Sequence, residues 1–320
     1  MREFDLIAVL DGTHSTPPLP SMQMVVAEGL TAVLSAVPRP VIRLPQSRRN
    51  HLLDAATRLG WQEACMTLAT TLPAGQNCAL TLPGAARFLA ANRPFLADLL
   101  GRFAGLVQVQ VTVSWQAQGV LKRFCHEPEL APIFARGATD AADLTNAVRS
   151  LAARLGTMIS DRLAAAAVDT ALLPVTEDVL WNGAILVPQR AIMAVDTAVQ
   201  AIDAIWPEGL LIRQIGPAPV GSFALLQLEK VSPRQFEDAL HRFGMRTKAD
   251  FADLAAARRG HLMETAAQAD PALRELIRRQ SRLVQAAARL DDPARGFALC
   301  HCRAEGLAES QAPRPVQAVA

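Results

Sequence analysis

From Gly105 to Trp115 the chain reads Gly-Leu-Val-Gln-Val-Gln-Val-Thr-Val-Ser-Trp, and no other stretch restricts the fold as strongly. Successive side chains of an extended strand point to opposite faces. Val107, Val109, Val111, Val113 and Trp115 therefore share one side, while Gln108, Gln110, Thr112 and Ser114 share the other. Strands of an all-parallel sheet are covered on both faces and read as continuous apolar runs. A strand that is apolar on one side only belongs in an antiparallel sheet with that side covered. This segment predicts an α+β protein in which helices lie on one face of antiparallel sheets.

The chain is long enough for more than one such layer. It has 320 residues, of which 51% are apolar, enough for two domains with cores of their own. Charged residues make up 19% and the formal net charge is +2, with Lys and Arg dispersed along the sequence, so nucleic acid is not an expected partner. The uncharged runs 64–86 and 103–121 are long enough to raise the question of a membrane span. The first is broken by Pro73, Gly75 and Pro83, and the second is the alternating strand itself, so no membrane insertion is expected. The opening Met1-Arg2-Glu3-Phe4-Asp5 lacks the pattern of a signal peptide, and the cysteines are odd in number, which predicts a cytoplasmic protein.

Phe4 to Leu10 reads as a strand stopped by Asp11-Gly12. Met22–Ala27 and Leu30–Val37 read as a hairpin whose Glu28-Gly29 pair supplies the positive φ of a tight turn. Ser47 is a candidate cap for a helix ending at Gly60, and residues 62–72 read as the returning strand. A helix from Gly84 is expected to stop and restart at Asn92 and Pro94. After the alternating strand, Thr139 or Asp140 starts a long helix with Leu144, Val148, Leu151, Leu155, Met158 and Leu163 on one side. A strand around 178–187, a helix from Gln189 closed by Pro207 and Gly209, and strands at 210–215 and 223–228 come next. Ser232-Pro233-Arg234-Gln235 has the form of a capping box, and further helices are expected from Thr247 and from Asp270-Pro271. The expected organisation is a ferredoxin-like α+β domain over 1–103 and a second α+β domain with a long inserted helix over 104–230. A helical extension over 231–292 and a flexible tail over 293–320 complete it.

Catalytic constellations are not visible. No Gly-rich phosphate loop, paired helical histidines or Gly-x-Ser-x-Gly elbow occurs, so no catalytic residue and no cofactor are assigned and an enzyme is not expected. Cys300-His301-Cys302 together with Cys125-His126 offers thiolate and imidazole groups of the kind zinc takes. The Cys-x-Cys spacing is tighter than that of ordinary structural zinc pairs and lies in the expected tail. The preferred reading is three residues without a partner, and no metal site is assigned.

Three further stretches carry a resemblance. They are Phe4-Asp-Leu-Ile-Ala-Val-Leu10, the segment from Leu96 to Val111, and Ile215-Gly-Pro-Ala-Pro-Val-Gly-Ser-Phe223. Over roughly residues 4–229 the chain resembles the gas vesicle accessory proteins of the GvpL/GvpF family. That family closes its second sheet with Gly-Pro-x-Pro-Pro-Tyr-Ser-Phe. Gly216, Pro217, Pro219, Ser222 and Phe223 keep their places in this pattern, while Val220 and Gly221 stand where the family has proline and tyrosine. Gln108 likewise stands where a glutamate is usual. Physically the motif reads as a turn device between two strands, with two prolines stiffening it, Gly216 relieving it and Phe223 anchoring the second strand in the core.

The resemblance implies a non-enzymatic protein of gas vesicle assembly, located in the cytoplasm and on the vesicle. Its partners would be the small hydrophobic shell protein and other gas vesicle accessory proteins, bound during nucleation, and it would be a possible minor vesicle component. A competing reading from fold analogy alone is a ligand-sensing regulatory protein built from ferredoxin-like modules. A third, a zinc-dependent enzyme using Cys125, Cys300 and Cys302, requires stoichiometric metal.

Overall fold

The structure, a computed structural model, describes residues 2–37, 55–136, 140–176, 178–245, 254–268 and 271–303. Within these the chain forms two compact units, one of residues up to 104 together with 224–303, the other of residues 105–223.

Strand β1 (Phe4–Asp11) is followed by the hairpin of β2 (Met22–Ala27) and β3 (Leu30–Ser35), turned at Glu28 with φ 55° and Gly29 with φ 76°. The proposed cap Ser47 lies outside the described residues. Helix α1 (Ala55–Met66) runs straight through Gly60, and the returning strand β4 is only Thr71–Pro73. A helix end at Gly60 and a strand over 62–72 were the wrong expectation because this helix buries polar side chains. Arg58, Gln62 and Cys65 face the sheet at helical spacing, so the apolar pattern that marks a helix is missing. Arg58 Nη1 donates to the Leu6 carbonyl at 2.7 Å, and Gln62 Nε2 donates to the carbonyls of Ile7 at 3.0 Å and Ala74 at 2.9 Å. These bonds satisfy backbone where β1 changes partner from β4 to β5 (Ala79–Leu80).

Helix α2 (Leu82–Arg102) starts at Thr81, whose hydroxyl accepts from the Gly84 N–H at 3.1 Å. It continues past Pro94, where the sequence predicted a break. The missing hydrogen bond costs about 3 kcal/mol; burial of Phe88, Leu89, Leu96, Leu99 and Leu100 along the same helix outweighs it. The first sheet has strand order β2-β3-β1-β4, with every pair antiparallel. That is the ferredoxin-like order, except that the Pro-rich loop 12–21 makes the first crossover in place of a helix.

The second unit begins with β6 (Leu106–Trp115), in which half-buried and buried residues alternate at every position, as the sequence dictates. Two short helices, α3 (Ala117–Phe124) and α4 (Ala131–Arg136), lead to α5 (Ala141–Ala164). Asp140 caps α5 by accepting from the Ala142 N–H at 3.0 Å; the alternative cap Thr139 lies outside the described residues. Ala147, Leu151, Leu155, Ile159 and Leu163 form the buried stripe of α5. Strands β7 (Asp169–Leu172) and β8 (Val179–Pro188), helix α6 (Ile192–Asp203) and strand β9 (Leu210–Ala218) complete the unit. The sheet order is β7-β8-β6-β9, again wholly antiparallel. With helices on both crossovers, this unit is the fuller ferredoxin-like βαββαβ pattern.

Strand β10 (Leu225–Val231) does not close the second sheet, as the sequence suggested. It pairs along its whole length with β11 (Phe297–Arg303), and the Gly75 N–H donates to the Leu226 carbonyl at 2.8 Å. Residues 297–303 therefore form a strand where a loose tail was expected. Phe297, Ala298, Leu299 and Cys300 are all buried, so the segment has no alternation to reveal it. Between these strands lie α7 (Pro233–Arg242), with both halves of the Ser232–Gln235 capping box formed, α8 (Leu254–Gln268) and α9 (Pro271–Ala287). The proposed helix starts Thr247 and Asp270 lie outside the described residues. The expected separate extension is part of the first unit's core. Phe236, Phe243, Ile277, Val284 and Leu290 bury with Phe297, Leu299 and Ala91 of α2.

Candidate partner-binding surface

The motif starts near the end of β9 at Gly216, which has φ 135° and a cis bond to Pro217. A Cβ at Gly216 would lie 2.8 Å from the Gln108 carbonyl oxygen and 3.2 Å from Val109 Cα, so glycine alone fits against the central strand. The β6–β9 register jumps here, from Gln110 opposite Ile215 to Gln108 opposite Ala218, which leaves Gly216 and Pro217 as a bulge across from Val109. Beyond it the Gly221 N–H bonds the Pro219 carbonyl at 2.7 Å and the Phe223 N–H bonds the Val220 carbonyl at 2.9 Å. Gln108 closes the device, because its Oε1 accepts from the Ser222 N–H at 2.8 Å. Gly216, Pro217, Pro219, Ser222 and Phe223 thus span the bulge at the end of β9 and the turn after it, in which Pro217 is exposed while Val220 and Phe223 are buried.

Cys300, His301 and Cys302 lie on β11 and are not partnerless. The Cys300 N–H donates to Asn92 Oδ1 at 2.8 Å, and His301 Nε2 lies 2.8 Å from Glu229 Oε2. Burial pushes the Cys300 thiol well above its ordinary range, with Cys78 and Cys302 adding to the shift, so in this environment the group is a neutral thiol. Cys125 belongs to the other unit. Among the described residues no three His, Cys, Asp or Glu side chains are placed to hold a metal ion, and no helix is long and apolar enough to cross a membrane.

Sequence reasoning missed the outer edge of the second sheet. Among the described residues β7 pairs with β8 alone, so none of them takes up the backbone donors and acceptors of its other side. Large apolar side chains stand out beside it: Val168 is 61% exposed, Leu172 66% and Val175 58%. The only signal for β7 was a short apolar run after the long helix, too brief to separate from a loop. On the same unit, Ala165, Ala166, Ala194, Ala198 and Ala201 line an open apolar groove of about 480 Å³ between α5 and α6. The acidic loop between α3 and α4 is held by Arg154 of α5, which bonds Glu129 at 2.7 Å and Glu127 at 2.6 Å and keeps the Glu129 carboxyl below its usual range.

These features define a protein of two antiparallel, helix-covered α+β units, the second with an apolar strand edge that no described residue pairs. The profile of the family described as gas vesicle synthesis protein GvpL/GvpF matches residues 20–224, well over half of the chain. The chain belongs to that family. It is similar in fold to the crystal structure of the gas vesicle protein GvpF from Anabaena sp. PCC7120, with 19% identity and a TM-score of 0.54 over 68% of this chain and 96% of that one. GvpF from Microcystis aeruginosa aligns at 17% identity and a TM-score of 0.49, over 68% of this chain and 97% of that one. No curated protein sequence matches the chain.

Proposed function

We infer that this protein is a non-catalytic accessory factor of gas vesicle assembly that works in the cytoplasm and binds the hydrophobic shell protein, other accessory proteins, or both. Family membership supports the gas vesicle role, and the observation that carries the binding mode is the β7 edge. An apolar shell segment in extended form adds a strand there. Its backbone satisfies the open donors and acceptors of β7, and its side chains cover Val168, Leu172 and Val175. Strand addition of this kind shields a sticky segment without turnover and without a cofactor.

Co-expression of the tagged chain with the shell protein, followed by affinity capture and light scattering, tests the reading. Capture of the shell protein and slower growth of scattering are expected. Both should be lost in a Val168→Asp/Leu172→Asp variant that melts like the parent. Absence of capture, with scattering unchanged by the parent chain, overturns the function. Capture undiminished in the variant overturns the β7 edge as its site.

A further inference from the structure

Positive charge is dispersed along most of the sequence, but it gathers on one helix. α9 carries Arg274, Arg278, Arg279 and Arg282, and Arg289 lies two residues beyond its end, against Glu275 as the one carboxylate in that span. Arg279 is neutralised by Glu229, and Arg278 lies 3.6 Å from Glu275. Arg282 and Arg289 have no carboxylate partner among the described residues. Arg282 donates to the Cys300 carbonyl at 2.7 Å and stacks over the Phe95 ring at 5.0 Å, which fixes its guanidinium without cancelling its charge.

These two arginines line a groove of about 720 Å³ between α2 and α9. Phe95, Leu254, Ala286 and Leu299 supply apolar lining, Gln285 lies between the two arginines in sequence, and among the described residues no acidic side chain lines the groove. An apolar floor flanked by unneutralised guanidinium groups matches one kind of occupant, a segment with carboxylates beside an apolar stripe. The spacing narrows this further. Arg282 and Arg289 are seven residues apart in sequence and line the same groove, so both can be met by carboxylates about two turns apart on one partner helix.

We propose that the α2–α9 groove is a docking site for an acidic amphipathic helix of a partner protein. Its apolar side chains at i, i+3, i+4 and i+7 enter between Phe95 and Ala286, and glutamates two turns apart engage Arg282 and Arg289. α9 lies beyond the residues matched by the family profile, and the site is independent of the β7 edge.

Fluorescence anisotropy on the full chain tests this with a labelled helical peptide of about 18 residues bearing one leucine stripe flanked by glutamates, against its lysine-flanked counterpart. Binding of the glutamate peptide about tenfold tighter than the lysine peptide is expected, weakening as salt rises from about 50 to about 300 mM. The Gln285→Glu/Arg289→Glu variant, altered at exposed positions, should weaken that binding about tenfold with an unchanged melting temperature and leave capture of the shell protein intact. Equal binding of both peptides overturns the proposal, as does a stably folded variant that binds undiminished. Displacement of the glutamate peptide by a short DNA duplex but not by unlabelled peptide also overturns it, by making the face a general polyanion surface.

Discussion

Gly216 leaves no room for a side chain in the second unit. Its φ of 135° and the 2.8 Å approach of a Cβ to the Gln108 carbonyl both oppose any other side chain. Gly216→Ala should cost about 1–3 kcal/mol, read as a lower urea midpoint. Asn92 holds the comparable place in the first unit, where its amide bonds the carbonyls of Phe88 and Ala298, each at 2.8 Å, and the N–H of Cys300. Asn92→Leu leaves β11 backbone groups buried and unsatisfied, and about 2–4 kcal/mol should be lost in equilibrium denaturation. His301 adds a pH dependence. Partial burial first, then the Arg282 and Arg279 cations, lower its pKa from the ordinary 6.5, since the neighbouring Glu229 is already engaged by Arg279. A depressed folded value means that the unfolded chain takes up this proton at higher pH than the folded chain. The stabilisation is therefore complete above about 6.5 and is lost as pH falls from there through the folded value. Urea midpoints measured from about pH 8 to pH 5 should fall less steeply in His301→Asn than in the parent.

At the level of elements, the β10–β11 ribbon ties the C-terminal segment to α2. Besides Asn92, Arg87 Nη2 donates to the carbonyls of Asp292 at 2.7 Å and Gly296 at 2.9 Å. A chain ended after residue 224, where the family match stops, loses all of these bonds together with the core around Phe236, Val284 and Leu299. Amide exchange in α2 should then speed up by orders of magnitude while that in β6 changes little. Local chemistry made some elements readable in advance: the Glu28-Gly29 turn, the Asp140 cap and the Ser232–Gln235 box each depend on a few adjacent residues. α1 was not readable, because its inward face is Arg58 and Gln62, whose purpose is clear only beside the carbonyls they satisfy.

On the scale of the whole molecule, both sheets share one strand order, and the first unit is interrupted by the second. The ends of the inserted unit meet, since Gln108 near the start of β6 pairs with Ala218 at the end of β9. A contiguous segment with adjoining ends and its own core should fold when expressed alone. Residues 105–223 in isolation are expected to give a cooperative thermal transition by circular dichroism, and a non-cooperative one would show that the unit depends on the rest of the chain. By itself the sequence determined β6, the covered antiparallel sheets that β6 demands and the family motif around Gly216, because period-two burial and turn chemistry act over neighbouring residues. Only the tertiary structure decided that β10 leaves the second sheet for β11, that Pro94 stays inside a helix and that β7 pairs on one side only among the described residues. Pairing across some seventy residues of sequence leaves no local period, and burial on both faces erases the alternation that would announce a strand.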